Sequence, residues 1–236
     1  MACVKEMRMV VDQVLDPGCI FERKLTNDKS FDIRKGDHFS FPDNLQKVGI
    51  RMGWTGDANT GFACAPQLAC ILLKDADGDG ILDPILGCDL NTSVQGIYFK
   101  SIFSIDLNTI GDKWVIDIEF GAIPPDVSVI AFVASIPTKK YSFDHLKDCY
   151  VRLIDTSTEW QYARYQLGDK QKYSNKKQAV VLCFLERGKT PSDPAWSVIV
   201  IEEEAEGIYS FEMNSPLREG DLITNKFTKY NVCCTS

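Results

Sequence analysis

The feature that most constrains this chain is a succession of short β-type runs punctuated by turn residues. They are Val48–Trp54, Gln67–Leu73, Trp114–Phe120, Val127–Val133, Tyr150–Ile154, Ala163–Leu167, Ala179–Leu185 and Trp196–Ile201. Each is rich in β-branched and aromatic residues. Few helical patterns lie between them, so the spacing predicts a mainly β chain built as a two-sheet β-sandwich, with one or two short helices. The helix with the best signal covers Phe143–Cys149, with Ser142 or Asp144 as its cap. Near the start, Val4, Met7, Val11 and Val14 have helical spacing while Met7, Met9 and Val11 alternate. Helix and strand both remain open there, and Asp16-Pro17-Gly18 ends either one. After Glu202-Glu203-Glu204 and Gly207 the pattern weakens. The organisation expected is an N-terminal extension over 1–29, one sandwich domain over 30–208 and a tail over 209–236.

Charge and cysteine usage narrow the partners. With 26 Lys+Arg against 33 Asp+Glu, the formal charge is −7. Non-specific nucleic-acid binding needs clustered cations to neutralise phosphate, so no nucleic-acid partner is expected. No apolar run approaches the length of a transmembrane helix. Met1–Glu6 is interrupted by charge and opens no signal peptide. The nine cysteines form no Cys-x-x-Cys pair and there are two histidines, His38 and His145, a poor basis for structural zinc. A reduced, cytoplasmic protein is the expectation. Cys233-Cys234-Thr235-Ser236 fits a prenylation box only formally, because Cys234 and Thr235 are poor aliphatic substitutes, and no lipid is expected.

Several groups carry potential chemistry. Asp75-Ala-Asp-Gly-Asp-Gly-Ile-Leu-Asp83 sets acids at positions one, three, five and nine, with Gly80 at six. That is the front of an EF-hand-type loop, in which Asp75, Asp77, Asp79, the Ile81 carbonyl and Asp83 would hold one Ca²⁺. Leu86 stands where the bidentate acid belongs, so binding should be weak. An Asp/Gly-rich turn uses the same residues and remains the alternative. On a helix, His145 and Cys149 would share a face, a conceivable thiol pair, although core packing is the favoured explanation. Arg152 and Arg164 are candidates for anion recognition, and Arg152 with Asp155 for a cross-strand pair. His38 is isolated and reads as a surface residue; Trp54, Trp114 and Trp196 read as core anchors. No phosphate loop, dinucleotide fingerprint, nucleophile elbow or zinc helix is found, and a non-enzymatic protein is expected.

Six phrases in order resemble the TerD family of tellurite-resistance and bacterial stress proteins. Ile33-Arg-Lys-Gly-Asp37 resembles its opening Leu-x-Lys-Gly strand, and Val48-Gly-Ile-Arg-Met-Gly-Trp54 its Val-x-Val-Gly-Leu-Gly-Trp strand. Ile123-Pro-Pro-Asp-Val127 through Ile136, the segment Phe143–Asp155, Ala163-Arg-Tyr-Gln-Leu167 and the Trp196 strand follow in family order. The resemblance spans about residues 33–208 and implies a β-sandwich. It also implies a role in stress and tellurite resistance through other Ter-type proteins, or, on the same fold, a small-ligand module for cyclic nucleotides or other anions.

The resemblance further implies a calcium site, and there this chain departs from it. The two aspartates of the family's Phe-Asp-Leu-Asp-Ala-Ser strand fall on Ala65 and Gln67, neither of which supplies a carboxylate. The phrase Gly-Asp-Asp-Glu resembles Gly111-Asp-Lys-Trp114, which keeps Asp112 but substitutes a cation and an indole, and an upstream Gly-Asp-Asn has only a shadow in Ile105-Asp106-Leu107. Calcium takes six to eight oxygens, several of them anionic, so the family role does not carry over.

Overall fold

A computed structural model describes residues 22–24, 31–32, 36–56, 65–75, 82–88, 94–101, 111–136, 140–167, 179–188 and 196–205. Thirteen strands lie among them: β1 (Glu22–Lys24), β2 (Phe31–Asp32), β3 (His38–Ser40), β4 (Lys47–Gly56), β5 (Gln67–Asp75), β6 (Leu82–Cys88), β7 (Ile97–Ser101), β8 (Asp112–Glu119), β9 (Val129–Ser135), β10 (Leu146–Asp155), β11 (Gln161–Gln166), β12 (Ala179–Arg187) and β13 (Trp196–Ala205). They form a seven-stranded sheet, β1-β3-β13-β12-β9-β5-β6, and a six-stranded sheet, β2-β11-β10-β4-β8-β7. Pairing is antiparallel except for β1 with β3 and β2 with β11. This is the two-sheet sandwich that the run pattern predicts, and each of the eight runs falls on one of its strands, with Phe120, Val127, Ser128 and Leu167 lying just beyond the strand ends.

The two sheets read differently because they are buried differently. In the six-stranded sheet, Val48, Ile50, Met52 and Trp54 of β4 and Trp114, Ile116 and Ile118 of β8 point into the core. Residues between them face the other way, which gives clean alternation. In the seven-stranded sheet every residue of β9 is buried, as are Leu68–Leu73 of β5. Strands buried on both faces read as continuous apolar runs. Leu68, Cys70, Leu72, Ile130, Phe132, Val180 and Leu182 supply that sheet's share of the core.

The predicted helix over Phe143–Cys149 is instead one 3-10 turn, Phe143–His145, running straight into β10. The Ser142 N–H donates to His145 Nδ1 at 3.1 Å and the His145 N–H to Ser142 O at 3.1 Å, closing a turn of three residues. Leu146 then becomes extended, at φ −94° and ψ 145°. The pairing of β10 with β4 shifts between Lys147 and Tyr150, where Asp148 has φ 49°. A 3-10 turn followed by a bulge reproduces the three-residue spacing of Phe143, Leu146 and Cys149, all buried, which a helix would also give.

Candidate functional site

The face of the six-stranded sheet turned away from the core carries an unusual row. Arg51 of β4 pairs in register with Arg152 of β10, and Arg152 with Arg164 of β11. Like charges directly opposite one another destabilise a sheet unless each is compensated. Here each guanidinium has its own solution.

Arg51 folds back across the strand into the space above Gly49, where an added Cβ would meet its Nη1 at 2.5 Å. Its Nη1 donates to Ile116 O at 3.1 Å, and its Nη2 lies 2.7 Å from Asp117 Oδ1 in an ion-pair contact outside hydrogen-bond geometry. Arg152 donates through Nε to Asp112 Oδ1 at 3.0 Å and through Nη2 to Asp112 Oδ2. This fork holds the Arg152 guanidinium above its ordinary pKa. Arg164 lies over the Tyr150 ring, 3.9 Å from its centroid. The Tyr150 hydroxyl donates to Asp112 Oδ1 at 2.9 Å, so one carboxylate gathers three donors. Burial, then the neighbouring Asp112 charge, pushes the Tyr150 phenol up to about 12. The ring itself fits because residue 53 is glycine: a Cβ there would lie 2.5 Å from Tyr150 Cζ and 2.4 Å from Gly111 O.

At the start of β8 two of the segments that the resemblance assigns to calcium do meet, while the third, at residues 105–107, falls outside the described residues. The Trp114 indole N–H donates to Pro66 O at 2.7 Å. Lys113 is buried, at 4% exposure, with Nζ 5.5 Å from the centroid of the Trp54 ring. Asp112, beside it in sequence, faces Arg152.

The other candidates are placed as follows. Asp75 and Asp83 lie in the β5–β6 hairpin, Asp75 opposite Leu82 and Lys74 opposite Asp83, while Asp77, Asp79 and Ile81 fall outside the described residues. The thiol pair dissolves with the helix that would have made it. His145 Nδ1 is engaged with Ser142, and Cys149 is core, where burial drives its thiol well above the ordinary range. Arg152 does not pair with Asp155, which accepts from the Ser157 N–H at 2.8 Å. For anion recognition, Arg152 is committed to Asp112, leaving Arg164 on its aromatic platform. His38 is half-buried in β3 rather than on the surface. Trp54, Trp114 and Trp196 are buried, as expected. Sequence reasoning misses Arg51; its signal is a charged residue between two glycines in an apolar strand. Tyr98, missed too, is the exposed large hydrophobic among the described residues, at 55%.

Comparison with known proteins places this geometry. Residues 91–207 match the TerD domain family. The fold is similar to that of a homologue of telluride resistance protein (TerD), SCO6318 from Streptomyces coelicolor A3(2), at TM-score 0.54 and 14% identity, covering 74% of this chain and 100% of that one. It is also similar to SAV2460, a protein described as of unknown function, at TM-score 0.50 and 15% identity, covering 74% of this chain and 94% of that one. No curated protein matches the sequence. From Asn91 to Gly207, spanning β7 to β13, this chain carries a TerD domain.

Proposed function

We propose that this chain is a non-enzymatic, cytoplasmic stress-response protein of the TerD type, contributing to tellurite and oxidant tolerance by binding other Ter-type proteins. The observation that carries this reading is the TerD domain over residues 91–207. Within it, β7 is the last described strand of the six-stranded sheet and exposes Tyr98, with Lys100 also exposed on the same strand. An edge strand with an exposed aromatic suits strand-addition contacts with a partner, and no described helix is long and apolar enough to cross a membrane. The acid spacing of Asp75–Asp83 supports one weak Ca²⁺, with an affinity on the order of 10⁻⁴ M because water must complete the shell.

The test is a deletion strain challenged with tellurite and peroxide, complemented by wild type and by Tyr98→Ala, with each form also used as bait against co-expressed Ter-type proteins. Lost tolerance, restored by wild type and less well by the variant, supports the reading. Unchanged tolerance together with no Ter-type protein recovered refutes it.

A further inference from the structure

The junction of β4, β8 and the segment entering β5 is where the resemblance expects calcium, and its donor set does not fit that ion. Ala65 offers no side-chain oxygen and Gln67 only an amide. The Pro66 carbonyl accepts from the Trp114 indole. Asp112 is the one carboxylate of its phrase, and both of its oxygens accept from Arg152, one of them from Tyr150 as well. Calcium takes six to eight oxygens, several of them anionic, whereas the described residues of these two segments present one carboxylate, already neutralised, and the buried Lys113 side chain.

We infer that side-chain cations of the chain itself have replaced the metal here. Arg152 ties the first residue of β8 to β10 through Asp112, as a shared ion would tie two strands. The Lys113 Nζ lies over Trp54 at the same end of the sheet, 5.5 Å from the ring centroid. A divalent ion at this junction would have to displace the Arg152 guanidinium from both oxygens of Asp112. This end of the TerD domain is therefore closed without calcium, whatever the separate loop at Asp75–Asp83 binds. The inference concerns metal dependence alone and stands apart from the proposed role in tolerance.

The test uses the full chain carrying Asp77→Ala and Asp79→Ala, so that the loop does not contribute. Terbium luminescence sensitised by tryptophan reads occupancy of the junction, since Trp54 and Trp114 line it. Melts in 10 mM calcium and in chelator read linkage. The expected result is no calcium-displaceable terbium signal and a melting difference under one degree. Adding Ala65→Asp, Gln67→Asp and Lys113→Asp is expected to create a terbium signal that calcium displaces. In the same background Arg152→Gln is expected to lower the melting temperature by several degrees, equally in calcium and in chelator. A saturable, calcium-displaceable signal before any junction residue is changed overturns the inference. So does rescue of Arg152→Gln by calcium, or a folded carboxylate variant that gains no calcium response.

Discussion

Replacing Gly53 with alanine tests whether the outward polar layer is packed as tightly as its distances indicate. Gly53 lies opposite Asp112, where the pairing of β4 with β8 shifts between Met52 and Gly53. Its φ lies outside the left-handed region, so space is the issue and not backbone freedom. A Cβ at this position would sit 2.4 Å from Gly111 O and 2.5 Å from both Tyr150 Cζ and Oη. The first contact is backbone and cannot swing away. The second is a ring whose hydroxyl is fixed on Asp112 and whose face carries Arg164. Overpacking of this kind costs about 1–3 kcal/mol. Displacing the ring also weakens a hydrogen bond to a charged acceptor, worth roughly 1.5–3 kcal/mol. Reduced entropy of the unfolded chain returns about 0.4–1 kcal/mol. The net expectation is a loss of about 3 kcal/mol, or roughly 6–12 °C in melting temperature for a chain of this size. Gly121→Ala is the control, because a Cβ there would meet nothing within 4 Å. A thermal melt of both variants decides. A drop below about 2 °C for Gly53→Ala, or one matched by Gly121→Ala, refutes the packing argument.

Four further outcomes follow from the same geometry. Asp112→Ala strands Arg152, and because the pair is partly buried, at 15% and 25% side-chain exposure, the loss should be about 2 kcal/mol by denaturant titration, between the exposed and buried limits. The Tyr150 phenol is raised from 10.0 to about 12, so the unfolded chain releases this proton first. Stability present below pH 10 is then lost as pH rises toward 12, and Tyr150→Phe should flatten that part of the alkaline unfolding curve. Burial pushes the Cys183 thiol up to about 12 and that of Cys149 further, so peptide mapping after iodoacetamide at neutral pH should find both unlabelled until denaturant is added. At ~10 mM Ca²⁺, about a hundredfold over the expected dissociation constant, the Asp75–Asp83 loop should add roughly 2.7 kcal/mol and raise the wild-type melt by about 5–10 °C; a shift under one degree, or equal shifts in Asp77→Ala and Asp79→Ala, makes the loop a turn.

What the sequence reveals depends on how local the determining interaction is. The eight apolar runs need only their own periodicity, and all are strands. β6 escapes such a reading because Pro84 interrupts it; β6 is the last described strand of the seven-stranded sheet, and sheets confine proline to such edges. β3 and β7 are short, and β7 exposes Tyr98 and Lys100, so neither shows a clear apolar run. The helix over Phe143–Cys149 is misread because a 3-10 turn and a bulge together mimic helical spacing. At the site, Arg152 stands out in the sequence, but the acid nearest to hand, Asp155, is not its partner. That partner, Asp112, is 40 residues distant and reaches it only through the β4–β8 and β4–β10 registers. The family phrases point to the segments around Pro66 and Trp114, but not to the indole-to-carbonyl hydrogen bond that joins them.

The two glycines of Val48-Gly-Ile-Arg-Met-Gly-Trp54 explain why the arginine row is a packed layer and not a receptive surface. Core positions on β4 are Val48, Ile50, Met52 and Trp54, so Gly49, Arg51 and Gly53 occupy the opposite face. Glycine on either side of Arg51 leaves two hollows. The guanidinium of Arg51 lies in one, against Ile154, and the Tyr150 ring lies in the other. With both filled, Arg51 is only 6% exposed and its charge is engaged by Asp117 and the Ile116 carbonyl. An external anion would have to displace Asp117 from Arg51 or Asp112 from Arg152, exchanging a preorganised contact for one that also orders a free ligand. Arg164 is stacked on the Tyr150 ring, and one guanidinium makes a weak anion site. Recognition by this face is therefore disfavoured by its own internal pairing. The edge at β7, where Tyr98 is exposed and no described strand pairs beyond it, is the better place for a partner to engage.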